Sequence, residues 1–315
     1  MPDLISDRKL KWHYETEGQG ECFLFIHGWA ADNRVWNQQL EYFKDFYRVV
    51  SVDLPGHGRS DWQDGSLEQI ARDLDLLFNT LKVELVNLAA SSFGGLAALK
   101  YIEIFPNRVK RLILVGAGPR FARSEEFPFG LAVPRIKKLR EQVKTDFPEI
   151  LNVFFRSLFT VQERESLRFI DLSTTKDRTG EVNTAFSREK KGRYTGFLNI
   201  VGKEKASKWL QMFERGRDLP NQEALIKFLR IIEKEDLTEA FENITCPVYL
   251  LSGREDYICP PEALKYFQSR LPQARVEFFE DCGHFPFLSQ PQQFNALVKD
   301  FLTNRTPGVR LVKRG

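Results

Sequence analysis

Short apolar runs rich in Val, Ile, Leu and Phe alternate with amphipathic helical stretches along most of this chain. The run YRVVSVDL at 47–54 precedes a helical pattern at 66–81, and ELVNLAA at 84–90 precedes another at 93–105. Strands that alternate with helices form a mainly parallel sheet that is covered by helices on both faces. The alternation therefore predicts an α/β fold.

The alternation stops between residues 120 and 240, where the chain is helical and charged, and resumes with CPVYLLSG at 246–253. Because sheet strands are expected on both sides of the interruption, we expect 120–240 to be an inserted helical cap. The α/β core then comprises residues 1–119 and 241–305. Residues 306–315 are expected to form a basic tail.

Composition excludes several classes of function. The chain has 315 residues, and its 46 Lys and Arg nearly balance 43 Asp and Glu, so a net charge of +3 does not indicate nucleic-acid binding. No apolar run approaches the roughly 18 residues that span a bilayer, and the amino-terminal stretch lacks a signal peptide's apolar segment. The four cysteines show no metal-ligand spacing and are expected to be reduced thiols, which favours a cytoplasmic protein.

The segment NLAASSFGGLAAL places two serines between an apolar strand and a glycine pair that opens a helix. A nucleophile on such a sharp turn needs small residues two positions before and two positions after it. Ser91 fails this test because Phe93 is bulky, whereas Ser92 lies between Ala90 and Gly94. Ser92 is the candidate nucleophile, and an ordinary helix-capping serine is the alternative.

A serine hydroxyl is a poor nucleophile without a base, and the chain has four histidines. His13 belongs to the first pair of predicted strands, His27 directly follows a buried strand, and His57 lies in the glycine-rich segment DLPGHGRS. His284 follows the last predicted strand and comes after the serine in chain order. We therefore expect His284 to be the base.

The base needs an acidic partner that holds its tautomer. The segment LLSGREDYICPP offers Glu255 and Asp256 after the preceding strand. The spacing from Gly253 places Asp256 where the loop turns inward, and we expect Glu255 to be a surface charge. Ser92, Asp256 and His284 then follow three different strands, whose carboxyl ends gather at the sheet edge where active sites form.

Five segments together resemble the α/β-hydrolase superfamily: HGWA, DLPGHGRS, ASSFGG, SGREDYICPP and CGHFPFLSQP. They occur in the superfamily's order and cover both halves of the chain. Within the superfamily, the HGW and GHFPFLSQP segments most resemble the pimeloyl-acyl-carrier-protein methyl ester esterases of biotin synthesis. Two positions depart from the pattern: Ala90 replaces a glycine, and Ser91 replaces a bulkier residue.

The resemblance implies a serine carboxylic-ester hydrolase that forms an acyl-enzyme and needs no metal or organic cofactor. It also implies an oxyanion hole made by the backbone N–H groups of Trp29 and Phe93, whose side chains would line the acyl pocket. Phe154, Phe155 and Phe159 lie on a predicted cap helix and are expected to line the same pocket.

The predicted cap holds 24 basic and 19 acidic residues, whereas the rest of the chain is slightly acidic. A basic rim around an apolar pocket suits an acyl chain that is delivered by an acidic carrier protein. The expected carrier-binding residues are Lys137, Lys138, Arg140, Lys144 and Arg156. A solvated helix surface is the alternative explanation of these charges.

Three other functions share these features. A broad short-chain carboxylesterase and a carbon–carbon bond hydrolase of ring-cleavage products use the same catalytic residues. Some relatives in the superfamily are hormone or signal receptors that keep those residues and turn over slowly. In each case the expected partner is a small molecule, with neither nucleic acid nor a membrane span involved.

Overall fold

A computed structural model of the protein describes residues 3–166 and 219–303 and confirms the predicted α/β architecture. In these ranges, one eight-stranded sheet has the order β1-β2-β4-β3-β5-β6-β7-β8. The strands are β1 (Asp3–Ile5), β2 (Lys11–Glu17), β3 (Cys22–Ile26), β4 (Arg48–Val52), β5 (Val86–Ser91), β6 (Val109–Val115), β7 (Val248–Gly253) and β8 (Arg275–Phe279).

Eleven α-helices accompany the sheet in the described part of the chain. They are α1 (Asn37–Phe43), α2 (Leu67–Thr80), α3 (Phe93–Ile104), α4 (Val133–Thr145), α5 (Glu149–Ser157), α6 (Val161–Ser166), α7 (Gln222–Lys234), α8 (Thr238–Glu242), α9 (Pro261–Arg270), α10 (Pro286–Ser289) and α11 (Pro291–Thr303). Two 3-10 helices, Asn33–Trp36 and Pro106–Arg108, complete the set. The 3-10 helix Asn33–Trp36 leads directly into α1.

The burial of the central strands agrees with their parallel pairing. β3, β5 and β7 are buried at every residue, as continuous apolar runs in a parallel sheet must be. All neighbours from β4 to β8 pair in parallel, whereas β1 with β2 and β2 with β4 pair antiparallel. The antiparallel edge and the short strand β1 were not expected from the sequence.

Helix α2 shows how local sequence sets an element. Ser66 accepts a hydrogen bond from the Gln69 backbone N–H, and the Gln69 side chain accepts one from the Ser66 N–H, at 3.2 and 2.7 Å. This reciprocal capping box satisfies two N–H groups that a helix start leaves without partners. Apolar residues at helical spacing then bury one face of the helix, which packs beside α3.

The segment between β6 and β7 is inserted between two strands that are direct neighbours in the sheet. In its described parts it is helical, and α4 packs against α7. This arrangement agrees with an inserted cap, although the boundaries at 120 and 240 stay a prediction. Residues 167–218 of that segment, and the predicted basic tail 306–315, lie outside the described residues. Within the described ranges, no helix is both long and apolar enough to cross a bilayer.

The junction between the end of β7 and the loop after β8 leaves no space for a side chain. A β-carbon at Gly253 would lie 2.0 Å from the Cys282 carbonyl oxygen and 2.2 Å from that of Gly283. Because both are backbone atoms, relief would require the loop to move. We expect Gly253→Ala to lower the free energy of unfolding by about 2 kcal/mol or more, measured by urea denaturation.

Gly65→Ala is the matched control for this prediction. A β-carbon there meets only the ends of the flexible Gln69 and Arg8 side chains, at 2.9 and 3.0 Å. An equal loss of stability in both variants would contradict the explanation.

Candidate active site

Ser92 occupies the sharp turn between β5 and α3. Its backbone is strained, with φ 52° and ψ −122°. Its N–H donates to the Val115 carbonyl at 3.0 Å, which ties the turn to the end of β6. A β-carbon at Gly94 would lie 2.5 Å from the His27 carbonyl oxygen, so the position two residues after Ser92 must be small. The size argument made from the sequence therefore has a direct structural cause.

The two adjacent serines have different surroundings. The Ser91 side chain is fully buried, and its Oγ has no hydrogen-bond partner among the described residues. Ser92 is half-buried, and its side chain makes no capping hydrogen bond to α3. The helix-capping alternative is therefore wrong for Ser92. Only Ser92 combines a partly exposed hydroxyl with the strained turn that holds it at the sheet edge.

Asp256 and His284 form a buried pair. Asp256 Oδ2 lies 2.7 Å from His284 Nδ1 and accepts from Ser252 Oγ at 2.9 Å. Asp256 Oδ1 accepts from the backbone N–H groups of Ile258 and Cys259, at 2.8 and 3.1 Å. Because the Asp256 carboxylate can only accept hydrogen bonds, the His284 Nδ1 that faces it carries the proton. His284 Nε2 is then the basic nitrogen. Glu255, in contrast, is exposed, as expected.

The end of β6 connects this pair to Ser92. Val115 accepts the Ser92 N–H, and Gly116 follows directly in the chain. A β-carbon at Gly116 would lie 2.7 Å from the His284 Nδ1 and 3.1 Å from Asp256 Oδ2. Adjacent residues of one strand end thus contact the serine turn on one side and the imidazole on the other. The structure brings the three predicted residues to the same edge of the sheet.

The loop that carries Trp29 also lies against Ser92. A β-carbon at Gly28 would be 2.9 Å from Ser92 Cβ and 3.6 Å from its Oγ. Phe93 is the first residue of α3, where a backbone N–H has no partner within the helix. The backbone before Trp29 and the start of α3 at Phe93 therefore both lie next to Ser92, where the sequence predicts the oxyanion hole.

Two histidines hold this loop in place, each through a fixed tautomer. His57 Nε2 accepts from the Ala30 N–H at 3.2 Å, so its proton is on Nδ1, which donates to the Pro55 carbonyl at 3.0 Å. His27 Nε2 accepts from the Leu54 N–H at 2.9 Å, and its Nδ1 donates to Gly28 at 2.8 Å. Both imidazoles are buried and support the backbone beside Ser92.

Asp53 connects the loop that carries Trp29 to the loop that carries His57. Its carboxylate accepts from the backbone N–H groups of Asn33, at 2.7 Å, and Arg59, at 2.9 Å. A β-carbon at Gly58 would lie 2.2 Å from Asp53 Oδ2, so the loop passes directly over the carboxylate. Burial, reinforced by the nearby Asp32 carboxylate, raises the pKa of Asp53 to about 7 against the opposing effect of the two N–H donors.

An apolar cavity of about 300 Å³ is lined by residues of α4, α5 and α7, by Trp29, and by Tyr257, which directly follows Asp256 in the chain. Trp29 and Phe154 form part of its wall, with their rings edge-to-face at 4.8 Å. Trp29 is fixed by a 3.0 Å hydrogen bond from its Nε1 to the Leu225 carbonyl of α7. Two further lining residues, Arg135 and Lys138, are exposed cations. The cavity therefore combines apolar walls with positive charge at its edge.

The other predicted aromatic residues lie in the packed interior. Phe155 and Phe159 are buried, and Phe159 contacts Phe285 with ring centroids 5.5 Å apart. Phe93 is also buried and stacks on Phe228 of α7 at 4.1 Å. Of the five side chains expected to line the pocket, the structure places Trp29 and Phe154 on this cavity.

Sequence reasoning missed two residues of the cap and cavity. Phe228 lies between Phe93 and His57, stacking on both rings. Tyr257 lines the cavity, where its hydroxyl lies 2.7 Å from Ser157 Oγ and Arg135 lies over its ring at 4.4 Å. Tyr257 follows Asp256 directly, which was a usable signal, but no local pattern marks Phe228.

Ion pairs within the cap involve several of the predicted carrier-binding residues. Arg140 and Lys137 both contact Glu233 of α7, the latter at 3.7 Å. Lys144 contacts Glu141 at 2.8 Å. Lys138 lines the cavity and is exposed, whereas Arg156 is half-buried on α5. Among the described residues, no group of three or more His, Cys, Asp or Glu could hold a metal ion.

The family comparison agrees with this geometry. Residues 21–291 match the family model described as alpha/beta hydrolase fold. The chain therefore belongs to the α/β-hydrolase fold family.

Within that family the chain is similar to several proteins named pimeloyl-[acyl-carrier protein] methyl ester esterase. It is 31% identical to the one from Photobacterium profundum over 290 residues, which cover 92% of this chain and 97% of the relative. It is 28% identical to the one from Nitrosomonas europaea over 285 residues, or 90% of this chain and 96% of the relative.

Solved structures support the fold. An esterase from Exiguobacterium antarcticum superposes with a TM-score of 0.75 at 22% identity, over 96% of this chain and 99% of that chain. An enol-lactonase from Burkholderia xenovorans gives a TM-score of 0.74 at 18% identity, over 96% and 100%.

The raised pKa of Asp53 predicts a pH-dependent stability. In the unfolded chain Asp53 loses its proton near its ordinary pKa of 3.8. The folded protein keeps that proton until the pH approaches about 7. The stabilisation is complete below the unfolded pKa and is lost as pH rises through the folded pKa. We expect the free energy of unfolding of the wild type to fall, relative to Asp53→Asn, as pH rises from about 4 to about 7, and to level off above that, in urea titrations.

Asp61→Asn serves as the control because Asp61 is an exposed carboxylate in the same loop. It should leave the pH dependence of the wild type unchanged. A wild-type profile parallel to that of Asp53→Asn would show that Asp53 is ionised throughout this range.

Proposed function

We propose that the protein is a serine carboxylic-ester hydrolase that cleaves the methyl ester of a pimeloyl group carried by an acyl carrier protein. The observation that carries the reaction type is the buried Asp256–His284 pair at the sheet edge that also holds the strained Ser92 turn. The names of the relatives support the substrate.

In this mechanism Ser92 Oγ attacks the ester carbonyl while His284 Nε2 accepts its proton. Asp256 holds the Nδ1 proton and stabilises the imidazolium that forms. The backbone N–H groups of Trp29 and Phe93 bind the tetrahedral oxyanion, and each such donor contributes about 3 kcal/mol to transition-state stabilisation. His284 then protonates the departing methoxide, which leaves as methanol, and an acyl-enzyme remains.

Water completes the reaction. His284 removes a proton from the water that attacks the acyl-enzyme and then returns that proton to Ser92, releasing the carboxylic acid. The cavity walls at Trp29 and Phe154 would hold the acyl chain, and the exposed Arg135 and Lys138 would face the carrier. A carrier-bound substrate favours a cytoplasmic location, as do the four free cysteines.

A broad short-chain carboxylesterase is the second candidate. Lys137, Arg140 and Lys144 are engaged in ion pairs with glutamates of the cap, which reduces the positive charge left to attract a carrier. Complementation of a biotin-requiring strain that lacks its pimeloyl ester esterase distinguishes the two functions. Growth supports the carrier-bound substrate, and failure to grow despite esterase activity in the lysate supports the broad esterase.

The nucleophile is tested by two neighbouring substitutions. Ser92→Ala should lower kcat for p-nitrophenyl esters by at least about a thousandfold, because it removes the attacking hydroxyl. Ser91→Ala should retain most activity, since Ser91 Oγ is buried and has no partner among the described residues. A fluorophosphonate should label the wild type at Ser92, as identified by peptide mass spectrometry.

Labelling at Ser91, or sustained turnover by Ser92→Ala, would contradict the assignment. A burst of p-nitrophenol without turnover in the wild type would indicate a hydrolase-like receptor instead.

The carrier interaction is tested at Lys138, which is exposed and lines the cavity. Lys138→Glu should raise KM for the carrier-bound methyl ester roughly fivefold, the equivalent of about 1 kcal/mol. It should leave kcat/KM for a small soluble ester unchanged, because the catalytic residues lie on the sheet. Raising salt to about 0.5 M, where the Debye length is about 4 Å, should weaken carrier binding by the wild type.

Lys265→Glu is the charge-matched control, because Lys265 is exposed on α9 of the core. Equal effects of Lys138→Glu on both substrates would indicate a role in the cap's own structure. No effect on either substrate would favour the broad carboxylesterase.

A further inference from the structure

The loop that carries His284 is hydrogen-bonded to the cap as well as to the core. The His284 backbone N–H donates to the Leu158 carbonyl at 2.8 Å. The neighbouring Gly283 N–H donates to Glu163 Oε2 at 2.9 Å. Leu158 directly follows α5 and Glu163 lies in the first turn of α6, so the backbone that bears the imidazole contacts the segment inserted between β6 and β7.

Glu163 also fixes the start of α6. Its Oε2 accepts from the Thr160 N–H at 2.6 Å, and its own N–H donates to Thr160 Oγ1 at 3.0 Å. This is the reciprocal capping box of the sequence pattern T-x-x-E. One carboxylate oxygen therefore serves two backbone donors, from Thr160 of the cap and from Gly283 of the histidine loop. Glu163 is 5% exposed, so these bonds form away from water.

The contact is closely packed around both hydrogen bonds. A β-carbon at Gly283 would lie 2.3 Å from the Leu158 carbonyl oxygen, so only glycine fits there. Phe159 and Phe285 add an aromatic contact beside the loop. On the core side, the Glu255 N–H donates to the Cys282 carbonyl at 3.0 Å. The loop is thus held by the core at one residue and by the cap at the next two.

We propose that Glu163 is a positioning residue that makes the alignment of His284 depend on the seating of the cap segment 158–163. The proposal rests on the proposed function, because it assumes that His284 is the base. Asp256 fixes the orientation of the ring, and Glu163 fixes the backbone from which the ring projects. Loss of the contact lets the base move from its productive position, so the chemical step slows while substrate binding is retained.

The first experiment compares Glu163→Ala, Glu163→Gln and Thr160→Ala on a small methyl ester. Glu163→Ala should lower kcat about ten- to a hundredfold and change KM less than about twofold. Glu163→Gln should stay within about threefold of the wild type, because its amide oxygen can accept both N–H groups. Thr160→Ala weakens the capping of α6 but leaves the bond to Gly283, and it should therefore keep kcat near the wild-type value.

A spectroscopic readout separates positioning from general stability. The proton on His284 Nδ1, shared with Asp256, should give a downfield proton NMR signal in the wild type and in Thr160→Ala. Glu163→Ala should broaden or shift that signal. Glu163→Asp is a second disruptive variant that still carries a charge and can cap the helix but is too short to reach Gly283. It should behave like Glu163→Ala.

Three outcomes would overturn the proposal. These are equal loss of kcat in Thr160→Ala and Glu163→Ala, wild-type kcat in both disruptive variants, or an unchanged NMR signal in both. Failure of the proposed function is seen separately, since the wild type would then show no ester turnover and no fluorophosphonate label at Ser92.

Discussion

The parallel pairing of the central strands is the constraint on which the rest of the structure depends. Because neighbouring strands run the same way, their carboxyl ends lie at one edge of the sheet. Two hydrogen bonds extend the ladder beyond β5 and β6: Ser92 N–H to Val115, and Gly116 N–H to Leu251, at 3.0 and 2.8 Å. These bonds set the serine turn beside the strand end that the His284 imidazole contacts.

Buried polar groups order the loops at this edge, because each would be costly to leave without a partner. His27, His57 and Asp53 accept backbone N–H groups from the loop that carries Trp29 and from the loop that follows β4. Asp256 does the same below His284. Of the histidines that the sequence offered as bases, His27 and His57 are hydrogen-bonded to the backbone through both ring nitrogens, whereas His284 is paired with Asp256 through Nδ1.

The number of basic residues in the cap does not by itself predict where its surface is positively charged. The sequence counts Lys137 and Arg140 as part of a positive surface, yet both contact Glu233, which lies almost a hundred positions further along the chain. Ion pairs of this kind cancel charge locally without changing the total. Lys138, between them in sequence, points to another side of α4 and lines the cavity, because helical neighbours face different directions. Neighbouring basic residues of α4 therefore have different surroundings: Lys137 and Arg140 contact Glu233, whereas Lys138 lines the cavity.

The sequence alone determined the α/β alternation, the placement of Ser92 rather than Ser91 on the tight turn, and the pairing of Asp256 rather than Glu255 with His284. Each depends on local periodicity or on the space that a tight turn allows. Tertiary structure decided the antiparallel edge of the sheet, the burial of Phe155 and Phe159, and the hydrogen bond from the Gly283 N–H to Glu163, which joins residues 120 positions apart. Such contacts have no local signature, because they exist only after distant segments have packed against each other.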